Sequence, residues 1–372
     1  MIVEEVAIDP LVQRKRKSIV KTNEELTIPD LFLGDQLSSL NGLRAVAILI
    51  VLYSHSIGSM YGGLGVDIFF VISGLLITTL LLKEKVKTGD INLKKFYLRR
   101  VIRILPVAYL FILVAILINY SFKLHIPFYH FILAFLFLTN MVGGFGLIGH
   151  YWSLSVEEQF YLVFPYFIKR SLKKYIAFLL LLLLFINILD FRNLSPYQYR
   201  NGSFSHYLMY LLAPLRHFDG IIVGSLTSIA VFKFNFNLKP LIKYKYLLHL
   251  VFVPVIVFLF KNNVSADIFK NPNPMNSLIS VSIIAFLMVI NLVESDDLIF
   301  KFLNNRLVAR LGILSYSIYI WQQIFTRDIP WIHSFKYSDS ILLNLIGLAI
   351  VSGLSYYCYE KQFLKLKARI KA

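Results

Sequence analysis

Long uncharged stretches alternate with short, densely charged ones along most of the chain. Ile176–Leu189 and Ile341–Cys358 contain no Asp, Glu, Lys or Arg and approach or meet the ~20 residues that cross a bilayer core as a helix. Runs of this kind predict an all-α, polytopic transmembrane bundle of about ten spans. They lie near residues 40–57, 63–82, 104–120, 126–142, 175–190, 206–232, 246–260, 277–293, 311–326 and 341–358. Gly143–Ile168, between the fourth and fifth, is apolar but carries Glu157 and Glu158.

Composition agrees with the runs. Hydrophobic residues fill 57% of the 372 positions and charged ones 16%, against roughly 25% charged in an ordinary soluble domain. That leaves too little polar surface for a water-soluble globule of this size. The net charge of +17 raises nucleic acid as a partner, but the 38 Lys and Arg fall in the short segments between apolar runs. A bilayer, and not nucleic acid, is the partner this distribution predicts. With one cysteine, Cys358, an intramolecular disulfide or a paired-thiol redox centre is excluded.

Loop charge predicts the topology. Segments on the N-terminal side of the membrane hold 29 of the 38 Lys and Arg and the opposite loops hold 7, so both termini are expected in the cytoplasm of a multi-pass inner-membrane protein. The chain leaves the cytoplasm after Arg103 and is back by Lys169, which requires an even number of crossings. Gly143–Ile168 is therefore predicted to be re-entrant or interfacial; if it does cross, the run before it does not. Non-helical backbone at that depth is tolerated only inside protein or at a wet cavity, so this segment marks a functional cavity.

The domain layout follows: a basic cytoplasmic arm over residues 1–39, a transmembrane domain over 40–360 and a basic cytoplasmic tail over 361–372. The arm, with Arg14, Lys15, Arg16, Lys17 and Lys21, has no apolar stretch long enough for the core of a signal peptide, so the first span is expected to direct insertion. Its basic cluster suits anionic lipid headgroups.

Ionisable side chains within spans are costly and are the first candidates for chemistry. Arg44 and His55 are eleven residues apart in the first span, so they leave one helix face, about 20° apart and ~16 Å apart along the axis. Alternatively, Arg44 snorkels to the interface and His55 is a packing histidine. Asp67 stands near the outer end of the next span, behind Gly62, Gly63 and Gly65, with Gly74 suited to close helix packing. Arg99, Arg100 and Arg103 open the third span, with Arg99 and Arg103 at i and i+4; they suit phosphate oxygens or simply anchor the inner interface. Glu157 and Glu158 need compensation in their apolar segment: a salt bridge to Arg99 or Arg103, or the orientation of an imidazole.

These residues fall in stretches that resemble the acyltransferase 3 family of membrane-bound acyltransferases. The stretches are Arg44 and His55 at R-x10-H spacing, GVDIFFVISGLLIT from Gly65, RRVIRILPVAY from Arg99, WSLSVEEQFYLVFP from Trp152 and LGILSYSIYIWQ from Leu311. Departures are Gln322, where many members have His, and Glu360–Lys361–Gln362, where an acidic residue closely precedes proline. Arg216, His217 and Asp219 match a later element with an uncertain one-residue offset. The family's fused hydrolase-like domain is not expected, since the chain ends twelve residues after Glu360.

The resemblance implies O-acyl transfer, with acetyl-CoA or another acyl-CoA as donor and no metal. The acceptor it implies is a hydroxyl of a surface polysaccharide, lipopolysaccharide or lipid-linked glycan. His55 is the implied base or acyl carrier, oriented by Glu157 or Asp67. Arg44, Arg99, Arg100 and Arg103 hold the coenzyme, while Trp152, Ser153, Glu158 and Tyr316 contact substrate. Tyr197, Tyr199 and Tyr207 suit a sugar face on an outer loop or merely an interface. A lipid or small-molecule acceptor, or a transporter or flippase, are the rival readings; against transport, no internal repeat or paired broken helices are visible.

Overall fold

A computed structural model of the chain describes residues 26–33, 37–59, 61–142, 145–191, 212–265, 274–332, 334 and 336–369. The basic cluster from Arg14 to Lys21 and Tyr197, Tyr199 and Tyr207 lie outside the described residues. Every regular element among the described residues is helical. A chain in hydrocarbon must satisfy its own N–H and C=O groups, and a helix does so within one segment.

The helices are α1 (Leu40–Ile57), α2 (Gly62–Thr88), α3 (Leu93–Ser121), α4 (Phe128–Phe135), α5 (Tyr151–Arg170), α6 (Leu172–Phe191) and α7 (Asp219–Phe234). Then come α8 (Lys245–Ser265), α9 (Pro274–Leu292), α10 (Leu298–Leu303), α11 (Arg306–Thr326), α12 (Ile341–Leu354) and α13 (Lys361–Arg369). Local chemistry sets their ends. Gly58 and Gly89 stop α1 and α2 at φ 66° and 81°, a conformation that glycine adopts freely. The Asn92 side chain accepts from Lys95 N–H at 2.9 Å and opens α3.

Among the described residues, six stretches are long and apolar enough to cross a bilayer: α1, α2, α3, Lys239–Asn262, Met275–Leu292 and Ile341–Leu366. The predicted span 175–190 falls within α6. The predicted span 311–326 falls within α11, of 21 residues, whose charged and polar side chains dilute its hydropathy. Within the predicted span 206–232 the described residues form a 3-10 turn, Ala213–Phe218, and then α7.

The fourth predicted span, 126–142, is not one helix. It holds the eight residues of α4, a left-handed Phe137 at φ 54° and a 3-10 turn, Thr139–Met141. The reason lies in α5, whose side chains capture the backbone freed there. Ser155 Oγ accepts from Thr139 N–H at 3.2 Å, and Gln159 Nε2 donates to Phe137 O at 3.0 Å and to Asn140 Oδ1 at 2.9 Å. Gly143–Ile168, predicted as re-entrant or interfacial, instead contributes most of α5, a long helix.

Helix α2 is the axis of the fold: 72% of its span window is buried, against 11% for Lys239–Asn262. The order of contacts runs α12, α11, α1, α2, α7, α9, α8, a row of neighbours, and α3, α5 and α6 pack across it. Small residues set the close approaches. A Cβ on Gly65 would lie 2.6 Å from Ala47 O of α1, and one on Gly74 2.0 Å from Ile221 O of α7. Side-chain bonds reinforce the second contact, Thr78 to Ser225 at 3.0 Å and Thr79 to Ser228 at 2.8 Å.

Two ion pairs tie down the helix ends. Lys169 Nζ donates to Asp90 Oδ2 at 2.8 Å and to Ile91 O at 2.7 Å, fixing the end of α5 to the α2–α3 turn. Lys245, fully buried, donates to Asp297 Oδ2 at 2.9 Å. Burial pushes the Asp297 carboxyl up, but hydrogen bonds from Ser295, Lys245 and Phe300 N–H outweigh it and hold the carboxyl at about 2.

Candidate functional site

α1 carries the two residues that the spacing placed on one face. Its exposed large side chains are Leu49, Tyr53 and Ile57, which stand about 140°, 180° and 220° around the helix from Arg44 at 100° per residue. The Arg44 and His55 face is therefore opposite the outward one. It is covered by α2 and α11, and neither side chain faces lipid.

Around Arg44 a partly open cavity lies between α1, α2, α3, α5 and α11. Arg44, Arg100 and Arg103 line it together with Ser73, Glu157 and Glu158. Ser73 Oγ donates to Glu157 Oε1 at 2.7 Å. The Arg100 guanidinium stacks over the Tyr161 ring at 5.1 Å and the Phe96 ring at 5.5 Å, which steers it inward. Tyr316 also lines the space, its hydroxyl donating to Ile104 O at 2.9 Å. Arg44 Nε and Glu158 Oε1 are buried without hydrogen-bond partners. Three guanidinium groups with an unpaired donor among them suit an anionic group, and phosphate oxygens fit the geometry.

Arg99 does not join them, contrary to the prediction. It pairs with Glu84 at the end of α2 at 3.4 Å, because Glu84 comes up beside that face of α3. The inward pair is Arg100 and Arg103, at i and i+3. Trp152, predicted to contact substrate, instead packs against Phe70 and His217 with ring centroids at 6.0 and 4.6 Å and is absent from the cavity wall. Ser153 and Glu158 are in that wall.

His55 lies beyond the cavity's far end and is not part of its wall. Ser153 and Tyr319 close that end, their hydroxyls 2.5 Å apart, and both approach His150 O, at 3.1 and 3.4 Å. His150 is buried in rings of Phe111, Tyr151 and Tyr319. It interacts electrostatically with His55. The ring of His55 is bonded through Nδ1 to Gln322 Oε1 at 2.7 Å.

Neither Glu157 nor Asp67, the residues predicted to orient His55, is bonded to its ring. Glu157 belongs to the arginine cavity. Asp67 sits five residues along α2 from Gly62, whose Cβ would face Ser54 and His55; five steps turn it about 140° away. It meets Asp219 of α7 instead, whose carboxylate accepts from Ser277 Oγ at 2.5 Å and Gly220 N–H at 2.7 Å. Ser73, Tyr161, Tyr319, His150 and Gln322 escaped the sequence reading as site residues. Tyr161 follows Glu157 by four residues and Tyr319 follows Tyr316 by three, so helical spacing within the quoted motifs would have found both.

Comparison with known proteins now bears on this arrangement. No solved structure matches the chain. "Putative O-acetyltransferase SACOL0978" of Staphylococcus aureus (strain COL) is 30% identical over 358 residues, covering 88% of this chain and 57% of that protein. The "Peptidoglycan O-acetyltransferase OatA" of Listeria monocytogenes is 28% identical over 329 residues, 78% of this chain and 50% of that protein. The "O-acetyltransferase OatA" of Staphylococcus aureus (strain NCTC 8325) is 27% identical over 358 residues, 88% and 57%. The chain thus spans little more than half the length of the curated relatives it matches. Its residues 37–360 match the family model described as an acyltransferase domain, a stretch that includes α1 with Arg44 and His55 and every wall of the cavity, and the chain belongs to the acyltransferase 3 family.

Proposed function

We propose that the chain is a multi-pass membrane O-acyltransferase that moves an acyl group, acetyl in the first instance, from a coenzyme A thioester to a hydroxyl of a cell-surface glycan. The observation that carries this reading is the inward face of α1, which holds Arg44 in the cavity of guanidinium groups and His55 at the opposite end. Arg44, Arg100 and Arg103 take the phosphate oxygens of the donor, where charge-assisted and bidentate contacts are strongest. Glu157, held by Ser73, and Glu158 keep the arginines from repelling one another.

The thioester arm extends along the α1 wall and passes the Ser153–Tyr319 contact, which opens to admit it. At the far end His55 takes the proton of the acceptor hydroxyl as its oxygen attacks the thioester carbonyl. The C–S bond breaks, the thiolate leaves and recovers the proton from the imidazolium, and the products are an O-ester and free coenzyme A. Peptidoglycan is the acceptor class suggested by the name of the Listeria relative. The cytoplasm is taken as the donor side, from the loop charge bias.

The test is acylation in nanodiscs, with isotopically labelled acetyl-CoA, glycan fragments and mass spectrometry of the product. The full chain should add ester-linked label and its His55→Ala variant should not. Near-normal acylation by a folded His55→Ala protein would remove the mechanism.

A further inference from the structure

Among the described residues, the hydrogen bond of the His55 ring is made with a neutral side chain 267 residues away in sequence. Gln322 is completely buried on α11. Its Oε1 lies 2.7 Å from His55 Nδ1 and also receives the Thr326 hydroxyl at 2.9 Å, while that hydroxyl contacts the Gln322 carbonyl at 2.8 Å. A carbonyl oxygen only accepts, so the imidazole donates from Nδ1 and its lone pair stands on Nε2.

We infer that Gln322 is the positioning residue of the acyl-transfer site: it fixes the tautomer and ring direction of His55 and leaves Nε2 as the atom that takes the hydroxyl proton. The inference rests on the catalytic reading of His55 above. Packing alone does not account for Gln322, because its Nε2 is buried without a partner. An aliphatic residue would fill the same space without stranding an amide.

The partner is uncharged, and this shapes the chemistry. An imidazolium formed during transfer gains no counter-ion from Gln322, so it returns its proton readily to the departing thiolate. The charged or titratable groups that reach the ring are Arg327 and Asp328 beyond the end of α11, and His150 at the start of α5. Asp328 is itself engaged by the Gln323 amide. From α2, Gly62 lies beside the ring.

The experiment compares wild type, Gln322→Leu, Gln322→Glu and His55→Ala as full chains in nanodiscs. It reads kcat, donor KM, the pH dependence of kcat and thermal unfolding. Gln322→Leu should lower kcat by about 10–100-fold, part of the 10²–10⁴ a positioned base supplies, with donor KM unchanged because the arginine cavity is intact. Gln322→Glu keeps the side chain's shape but places an anion on Nδ1, so the acidic limb of the pH profile should move to higher pH.

A Leu variant within about twofold of wild type in kcat, or a folded Glu variant with an unmoved limb, overturns the inference while leaving His55 in place. If His55→Ala itself remains active, the catalytic reading of the site fails instead. The Glu variant keeps the test decisive should Gln322→Leu fail to fold.

Discussion

Replacing Gly74 by alanine tests the packing that builds the cavity. The new Cβ would lie 2.0 Å from Ile221 O and 2.9 Å from Ser225 N. Both neighbours are backbone of α7, so no side chain can swing aside and the two helices must part by about 1 Å or more. Overpacking of this kind costs about 1–3 kcal/mol. Parting also stretches the Thr78–Ser225 and Thr79–Ser228 bonds, each contributing about 0.5–1.5 kcal/mol. Alanine's better helix propensity returns only about 1 kcal/mol, so the expected net loss is about 1–5 kcal/mol. Gly353 is the internal control: it is helical in α12 and a Cβ there would meet nothing within 4 Å, so Gly353→Ala should be neutral or gain up to about 1 kcal/mol. Unfolding of detergent-solubilised protein, followed by fluorescence-detected size exclusion against temperature or SDS, reads both. Ser73 adjoins Gly74 and holds Glu157, so the Gly74 variant should also bind donor less well. A Gly74→Ala protein that unfolds no earlier than wild type would mean that α2 and α7 do not meet as closely as this packing requires.

Arg44→Gln and Arg103→Ala should each weaken donor binding by about 10–100-fold, the loss of one charge-assisted contact. Titration of labelled coenzyme A into nanodiscs measures it. Arg99→Ala, which removes a half-exposed partner of Glu84 outside the cavity, should change donor affinity less than threefold in the same titration, since such pairs are worth at most about 1 kcal/mol. Asp297→Ala should destabilise the fold by about 3–5 kcal/mol, because Lys245 is left buried without its counter-ion. The Asp297 carboxyl is held at about 2, below its unfolded value. Its contribution is therefore complete above about pH 4 and is lost as pH falls through 2, a loss absent from the Asp297→Ala acid-unfolding curve.

What the sequence made legible is what a single helix determines. Arg44 and His55 could be placed on one inward face because their spacing alone fixes the angle between them, and a charged group in an apolar run has few places to go. Gly74 could be read as a close-packing position from its own helix alone, whereas the close approach at Gly65 could not. The break at Phe137 could not, because α5 residues about twenty positions later make it possible, and nothing within 126–142 announces them. The choice between Arg99 and Arg100 was hidden similarly: both alternatives are helical neighbours, and the decision belongs to Glu84 at the end of another helix. Gln322 looked like a departure from the family's pattern, since its partner is on α1 and only the pairing of α1 with α11 gives it a role.

On the proposed reading, the distance between the two ends of α1 bears on which donor fits. Arg44 and His55 are separated by ~16 Å along the helix axis, with the Ser153–Tyr319 contact between their surroundings. A small activated acyl donor such as acetyl phosphate carries its phosphate next to the carbonyl, so it could engage the arginines or the imidazole but not both. A coenzyme A thioester carries its phosphates and its carbonyl at opposite ends of a long, thin arm, and so can be bound at one end while it reacts at the other. Binding energy gained at the arginines would then place the carbonyl at His55, raising the transfer rate through position instead of through tighter contact with the reacting atoms. Acetyl phosphate should therefore support no transfer at concentrations that saturate with acetyl-CoA, and Arg44→Gln should impair transfer from the coenzyme thioester much more than from a truncated pantetheine thioester lacking phosphates. Equal sensitivity of both donors to Arg44→Gln would show that the two ends of the helix do not serve one extended substrate.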